Sequence, residues 1–444
     1  MKHLPRGAAF ALALSATLLS GCSLFDSMFK ESKDPLPGRR ISALNLEKSL
    51  APDRSASAAP VRLPAPYQND SWPDAGGYPS HAMYHLALGD AIKQVWKSDI
   101  GDGANDYGRI AAQPVVAGGR VFTMDALDVV SAFDATTGKR LWRLDPAPEH
   151  ARDQTYGGGV AAAADRVFVT TGYGEVLALD AAKGKELWRK SLSGPSHGAP
   201  TVTDGRVFAV TVDNQLQVLA ADDGRVLWTH NGLPEPASLL GAASPAVEGD
   251  VVVVPYSSGE LFGLRVENGR VLWSDNLATA QPLGALNSIA DVRGQPVIDR
   301  DRVFAVSNSG LMVAIDLRTG DRVWEQDIGS THAPWVAGDF VYVLANDLNI
   351  VCLRRQDGKV AWVRELPRFD DEEKKKDALT WTGPVLAGDR LIAISSKGEA
   401  LSISPYNGQP LGRTEFDDPV FVAPTVADKT LYVLTDEADL IALR

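Results

Sequence analysis

The chain has 444 residues, with 56 Asp and Glu against 44 Lys and Arg, a net charge of −12 and a pI of about 5.1. That balance argues against a nucleic-acid partner and against an electrostatic grip on anionic membranes. Two cysteines in the whole chain leave no disulfide framework.

Residues 1–21 read as a secretion signal. Lys2 and Arg6 precede an apolar run from Ala8 to Leu19 that is too short to span a bilayer. The run ends Leu19-Ser20-Gly21-Cys22, the bacterial lipobox, so Cys22 is the expected site of lipidation and the start of the mature chain. Cleavage removes Lys2 and Arg6 and no acid, which takes the side-chain charge from −12 to −14. Ser23 follows the cysteine where an Asp would favour inner-membrane retention, so the outer membrane is expected, with the rest of the chain in the periplasm. Residues 22–66 are rich in Pro, Ser, Ala and charge and read as the lipidated Cys and a flexible tether. Residues 67–90 hold Trp72, His81, Tyr84 and His85, enough aromatic surface to pack as an extension whose fold has no periodic signature.

From residue 91 to 444 one phrase recurs. Its clearest copies are Ala132-Phe-Asp134-Ala-Thr-Thr137-Gly138-Lys-Arg-Leu-Trp142, Ala178-Leu-Asp180 through Gly184 to Trp188, and Ala314-Ile-Asp316 through Thr319-Gly320 to Trp324. Looser copies end at Trp228, Trp273 and Trp362, and a seventh has Gly412 in place of Trp. A period of roughly 40–50 residues is that of propeller blades. Four residues before each Trp position stands a glycine without exception: Gly138, Gly184, Gly224, Gly269, Gly320, Gly358 and Gly408. Preceded by Thr, Lys, Asp or Asn, it predicts a type I′ hairpin turn. Ten residues before stand the small residues Ala132, Ala178, Val218, Gly263, Ala314, Cys352 and Ser402, as expected where neighbouring sheets press together.

A second hairpin precedes each of these, as in Pro114-Val-Val116, Gly118-Gly119 and Arg120-Val-Phe122. Each repeat is therefore four short antiparallel strands, which must stack on neighbours to bury both faces. The expected fold is all-β, an eight-bladed propeller, with the repeat tryptophans in structural roles between blades. The eighth repeat stops at Arg444 without its fourth strand, while Ile92-Lys-Gln-Val-Trp96 is a fourth strand without a repeat. The N-terminal strand is thus expected to complete the last blade. The charged run Phe369 to Asp377 reads as a solvated loop or short helix.

Motifs for chemistry are missing. The chain has no G-x-S-x-G elbow, phosphate loop or H-E-x-x-H. The mature-chain histidines, at positions 81, 85, 150, 197, 230 and 332, have no cysteine at metal-ligand spacing. The Gly101–Asp106 stretch lacks the bidentate Glu of a calcium loop. Cys352, in the small-residue column, reads as a buried inert thiol. No cofactor and no metal are expected.

The repeated phrase resembles the tryptophan-docking repeat of quinoprotein alcohol dehydrogenases, which bind pyrroloquinoline quinone. Those enzymes place an adjacent Cys-Cys pair against the quinone and carboxylates on calcium; this chain has no such pair. Across the signal, the lipobox and the ring from about residue 92 to 444, the chain more specifically resembles the BamB family, propeller lipoproteins of the outer-membrane β-barrel assembly machine. Ala237-Ser-Leu239-Leu240-Gly241-Ala-Ala-Ser244-Pro245 resembles that family's L-x-L-R-G-x-S-A-P loop. Ser288-Ile-Ala-Asp291-Val-Arg293-Gly-Gln-Pro296 resembles its L-S-D-V-D-x-x-P loop. The resemblance implies that these loops lie together and bind the POTRA domains of BamA through Leu239, Leu240, Asp291 and Arg293. Leu240 stands where the family has Arg, and Arg293 where it has a second Asp. The expected function is a non-catalytic scaffold lipoprotein that binds BamA and other assembly-machine subunits and aids insertion of β-barrel proteins into the outer membrane, in one version by binding their unfolded precursors too. It is held to the membrane by its lipid alone. The alternatives are a quinoprotein-type oxidoreductase and a propeller hydrolase or lyase of envelope polymers.

Overall fold

The structure is a computed structural model that describes residues 50–105, 108–149, 151, 155, 157–235, 243–278 and 291–444. Eight four-stranded antiparallel sheets follow one another as blades. Blade 1 shows the plan: Val115–Ala117, Arg120–Met124, Val130–Asp134 and Arg140–Leu144. Blades 2 to 7 occupy residues 158–191, 201–231, 246–276, 297–326, 335–365 and 381–415. First strands of neighbouring blades meet around the hub, and fourth strands form the exposed rim. Second and third strands are sandwiched between neighbouring sheets on both faces. They therefore read as continuous apolar runs, such as the fully buried Val251–Pro255, and not as alternation.

Blade 8 is completed as expected. Thr425–Ala427, Thr430–Leu434 and Asp439–Leu443 are joined by Gln94–Asp99, paired antiparallel from Gln94↔Leu443 to Asp99↔Asp439 with one register shift between Gln94 and Trp96. Lys97 Nζ adds a 2.7 Å ion pair to Asp439 within this junction.

The tryptophan and glycine columns are two halves of one contact. Each indole N–H donates to a carbonyl of the next blade: Trp96 to Ala135, Trp142 to Ala181, Trp188 to Ala221, Trp228 to Val266, Trp273 to Leu317, Trp324 to Arg355 and Trp362 to Pro405, at 2.7–3.2 Å. Each indole also lies against the turn glycine of that next blade. The glycine is needed twice: it takes positive φ (71° at Gly138, 80° at Gly320), and its missing Cβ leaves the space that the indole fills. The exception explains itself. Gly412 would face blade 8, where no turn joins the third and fourth strands and the ladder between them ends on hydrogen bonds between Lys93 and Arg444. A tryptophan there would have no glycine turn to dock on.

Three expectations are corrected. The repeat turn is not type I′, because four residues, not two, separate the paired ends. Gly138 N–H closes on Asp134 C=O, Asp134 N–H on Lys139 C=O, and Asp134 Oδ1 accepts from the N–H groups of Thr136 and Thr137. The small-residue column is small for a reason within the blade. Phe122, Ala132 and Trp142 are in register on adjacent strands, and the two rings meet over the alanine with centroids 5.9 Å apart. The charged run after blade 6 is a hairpin, Phe369–Asp371 with Lys376–Ala378, whose turn is held by Glu372 accepting from the Arg368 and Phe369 N–H groups.

Blades 5 and 6 share a buried ion pair. Arg355 Nε donates to the fully buried Asp299 carboxylate at 2.6 Å, and its Nη2 reaches Asp301 at 2.8 Å. Arg355→Leu leaves a buried carboxylate, and breaking such a pair costs about 3–5 kcal/mol. The lower end is expected, because Arg300 also reaches Asp299, at 3.1 Å. Urea unfolding of the variant at pH 7 checks this figure.

Candidate partner-binding faces and an occupied hub

The residues before the closing strand thread the hub. Asp53 exchanges two hydrogen bonds with Val360 on the rim of blade 6, and the one-turn helix Arg54–Ser57 follows. The expected tether boundary at residue 66 therefore moves back, since 50–66 already pack on the ring through Asp53 and the buried Ala56 and Val61. From residue 69 the chain visits each blade once, in order. Asn69 bonds Asp428 and Val426 of blade 8, Trp72 bonds Val116 of blade 1, and Pro73 bonds Ala162 of blade 2. Asp74 bonds Val202 of blade 3, Pro79 bonds Val247 of blade 4, and Ser80 bonds Ile298 of blade 5. Tyr84 bonds Trp335 of blade 6, and Leu86 bonds Leu386 and Gly388 of blade 7. The Asp74–Gly77 turn sits among hub side chains, where Gln113 Oε1 accepts from Gly76 N–H at 2.7 Å. Trp72, Met83 and Leu86 are almost wholly buried, and Trp72 packs on Trp335 with centroids 6.2 Å apart.

The packing of residues 67–90 is expected from the sequence, but their path around the hub is not, because each contact is one or two hydrogen bonds to a different strand, which imposes no periodicity. The only signal was its aromatic and glycine content. Its effect on chemistry is direct: the inner strands that could line a ligand mouth are engaged by the chain itself. A quinone cofactor does not fit the residues present. The chain has no adjacent cysteine pair, and Cys352 is buried between Tyr342 and Trp362, its thiol pushed well up by desolvation. Among the described residues no three His, Cys, Asp or Glu form a metal-binding group.

His81 anchors the extension. Its Nδ1–H donates to Pro296 C=O at 2.7 Å, and burial lowers its pKa to about 4. The unfolded chain then binds this proton more readily than the folded one. The stability it contributes is complete above about pH 6.5 and falls as the pH drops toward 4. His81 has φ 61°, which Asn tolerates, so His81→Asn is expected to flatten the acid limb of the melting-temperature profile between pH 7 and 4.5.

At the opposite ends of the strands run the connections from each blade's fourth strand to the next blade's first. Leu239 and Leu240, in the connection between blades 3 and 4, lie outside the described residues, as does Cys22. Asp291 and Arg293 are described, in the connection between blades 4 and 5. Asp291 is buried at 4 % exposure, its carbonyl accepting from Asn308 N–H. Arg293 is half-buried, its pKa lowered by desolvation, and burial together with the Arg293 charge lowers the pKa of His332 to about 4. The two connections do converge: Ala243 from one and Asp291 and Val292 from the other line the same cavity of about 20 Å³, beside Asn214 and Tyr256. That volume holds about one water and no cofactor. The repeat residues Trp142, Trp188, Trp228, Trp273, Trp324 and Trp362 all serve blade packing.

Comparison with known proteins agrees with this architecture. Residues 126–364, more than half of the chain, match the family model described as outer membrane protein assembly factor BamB. The protein of that name from Alkalilimnicola ehrlichii is 30 % identical over 357 residues, 80 % of this chain and 89 % of the relative. The one from Yersinia pestis is 28 % identical over 349 residues, 77 % and 86 % of the two chains. Among solved structures, BamB from Moraxella catarrhalis superposes with a TM-score of 0.68 at 20 % identity, covering 80 % of this chain and all of that one. The quinohemoprotein alcohol dehydrogenase of Comamonas testosteroni reaches 0.66 at 14 % identity, covering 85 % and 81 %, a likeness of fold alone. An eight-bladed ring built on this repeat and matched along most of its length to these proteins belongs to the BamB family of outer membrane protein assembly factors.

Proposed function

We propose that the ring is a non-catalytic subunit of the outer-membrane β-barrel assembly machine. It is anchored by lipid at Cys22 and docks the periplasmic POTRA domains of BamA through the connections flanking blade 4. The observation that carries this reading is the convergence of those two connections on one cavity in a chain of this family. Leu239 and Leu240 supply the apolar contact, Arg293 supplies charge at its edge, and Asp291 holds the second connection in place from within. Chemistry is not called for: the extension occupies the hub, and His81 and Asp74 there serve as structural anchors to blades 5 and 3.

The test is co-purification from detergent-solubilised envelopes, with partners identified by mass spectrometry. Burying a leucine fully is worth about 1.5–3 kcal/mol. Leu239→Ala with Leu240→Ala is therefore expected to lower BamA recovery at least about tenfold, with an unchanged melting curve. Unchanged recovery places the interface elsewhere. A large fall in melting temperature makes the leucines core residues. Asp291 is left out of the variant, since removing a buried carboxylate confounds folding with binding.

A further inference from the structure

At the ends of the strands away from those connections, the extension and two blade turns enclose an open cleft of about 320 Å³. Its walls are Tyr78, Pro79, Ser80, Ala82 and Tyr84 from the extension, with Thr203 and Asp204 from the first turn of blade 3 and Glu248 and Gly249 from that of blade 4. That size lies within the range of small-ligand pockets.

Three features give the cleft a chemistry. Its carboxylates are unspent: among the described residues neither Asp204 nor Glu248 has an ion-pair partner, whereas Asp250 and Asp299 nearby are paired with Arg265 and Arg300. Arg206 meets Asp204 only at its backbone carbonyl. Its walls carry two aromatic rings. Tyr84 is 37 % exposed and held at φ 52°, an uncommon conformation for a bulky residue, with its carbonyl fixed by the Trp335 indole N–H at 2.7 Å. Finally, burial and the charges of Asp299 and Glu248 raise the pKa of the Tyr84 phenol against an opposing effect of Arg300, so the Glu248 carboxylate lies close to the ring.

We infer that this cleft binds a basic peptide segment, taking one arginine or lysine head between the tyrosine rings and the Glu248 carboxylate. A ring face and an unpaired carboxylate on adjoining walls are the two groups that hold a cation while its stem lies on apolar surface. The partner is a peptide by charge complementarity: a guanidinium or ammonium satisfies Glu248 and Asp204 from one side, and Pro79, Ala82 and Val247 receive the alkyl stem. This inference does not rest on the BamA reading, since the cleft is formed by first turns and the BamA connections lie at the other ends of the strands.

The test uses the mature chain and fluorescence anisotropy with a dye-labelled nonapeptide carrying three arginines, against the same peptide with citrulline for arginine. The arginine peptide is expected to bind and the citrulline peptide not to. Tyr84→Ala and Glu248→Gln are each expected to weaken binding about tenfold, while Glu437→Gln, on blade 8, leaves it unchanged. Equal binding of the two peptides overturns the proposal, as does equal weakening by all three substitutions, which reports only the acidity of the whole ring. Displacement of the peptide by an equal charge concentration of spermine assigns the cleft to small amines and overturns the peptide assignment. Because Glu248 is exposed, its variant keeps the test valid if Tyr84→Ala fails to fold.

Discussion

A chain truncated through Asp99 is expected to melt about 10 °C or more below the full mature form, or to fail to fold. Truncation leaves blade 8 with three strands and strips the hydrogen bonds that Asp439–Leu443 makes with Gln94–Asp99. It also removes Trp96, which packs on Tyr432 with centroids 5.9 Å apart, lies against Gly138 and donates to Ala135 of blade 1. Loss of a buried Trp alone costs about 3–5 kcal/mol. The hub extension is lost as well, with the buried Trp72, Met83 and Leu86. An internal deletion of 50–90 separates the two effects, because it keeps the closing strand. It is expected to fold and to melt between the truncated and full chains. Circular dichroism melts of the three proteins check the order. Equal melting of the full and truncated chains contradicts closure by this strand.

The second large effect is expected at the docking glycines. A Cβ built on Gly320 falls 2.3 Å from Trp273 Cβ, and φ there is 80°. One on Gly184 falls 2.5 Å from the Trp142 ring. Gly320→Val and Gly184→Val are each expected to cost about 3 kcal/mol or more, as overpacking adds to backbone strain. Gly412→Val is the control: no atom lies within 4 Å, φ is not positive, and the residue is exposed, so the change is expected within about 0.5 kcal/mol. Urea midpoints of the three variants decide. Destabilisation at Gly412 equal to that at Gly320 removes the contact between columns as the reason for the glycines.

The ring was legible because its signals are local: a turn glycine, a Trp four residues on and an alternation of hairpins fit within one repeat. Blade 8 was legible through a surplus strand at one end and a missing strand at the other. What each column touches was not legible, since Gly184 meets Trp142 and Gly408 meets Trp362, more than 40 residues away in the chain. The turn type was misread because the Asp134 side chain caps a four-residue turn, which the Thr-Gly pair alone does not reveal. The extension was hidden for a related reason. A segment that hydrogen-bonds eight different strands in succession has no repeating burial pattern, so composition could say only that it packs. Of the candidate site, Leu239, Leu240, Asp291 and Arg293 were found through family resemblance and not through chemistry in the residues. The burial of Asp291, whose carbonyl accepts from Asn308 N–H, comes from the fold and has no local mark in the sequence. The cleft of Tyr84 and Glu248 was beyond sequence reading, because its walls come from segments more than a hundred residues apart.

The most direct measurement is a calorimetric titration of the purified mature ring with the isolated POTRA domains of BamA from the same organism. Docking through the connections flanking blade 4 predicts one-to-one binding by the wild-type ring, at least about tenfold weaker binding by the Leu239→Ala/Leu240→Ala ring, and unaltered binding by the Tyr84→Ala ring, whose change lies at the other ends of the strands. No heat of binding with the wild-type ring, or equal affinity of the wild-type and double-leucine rings, contradicts it.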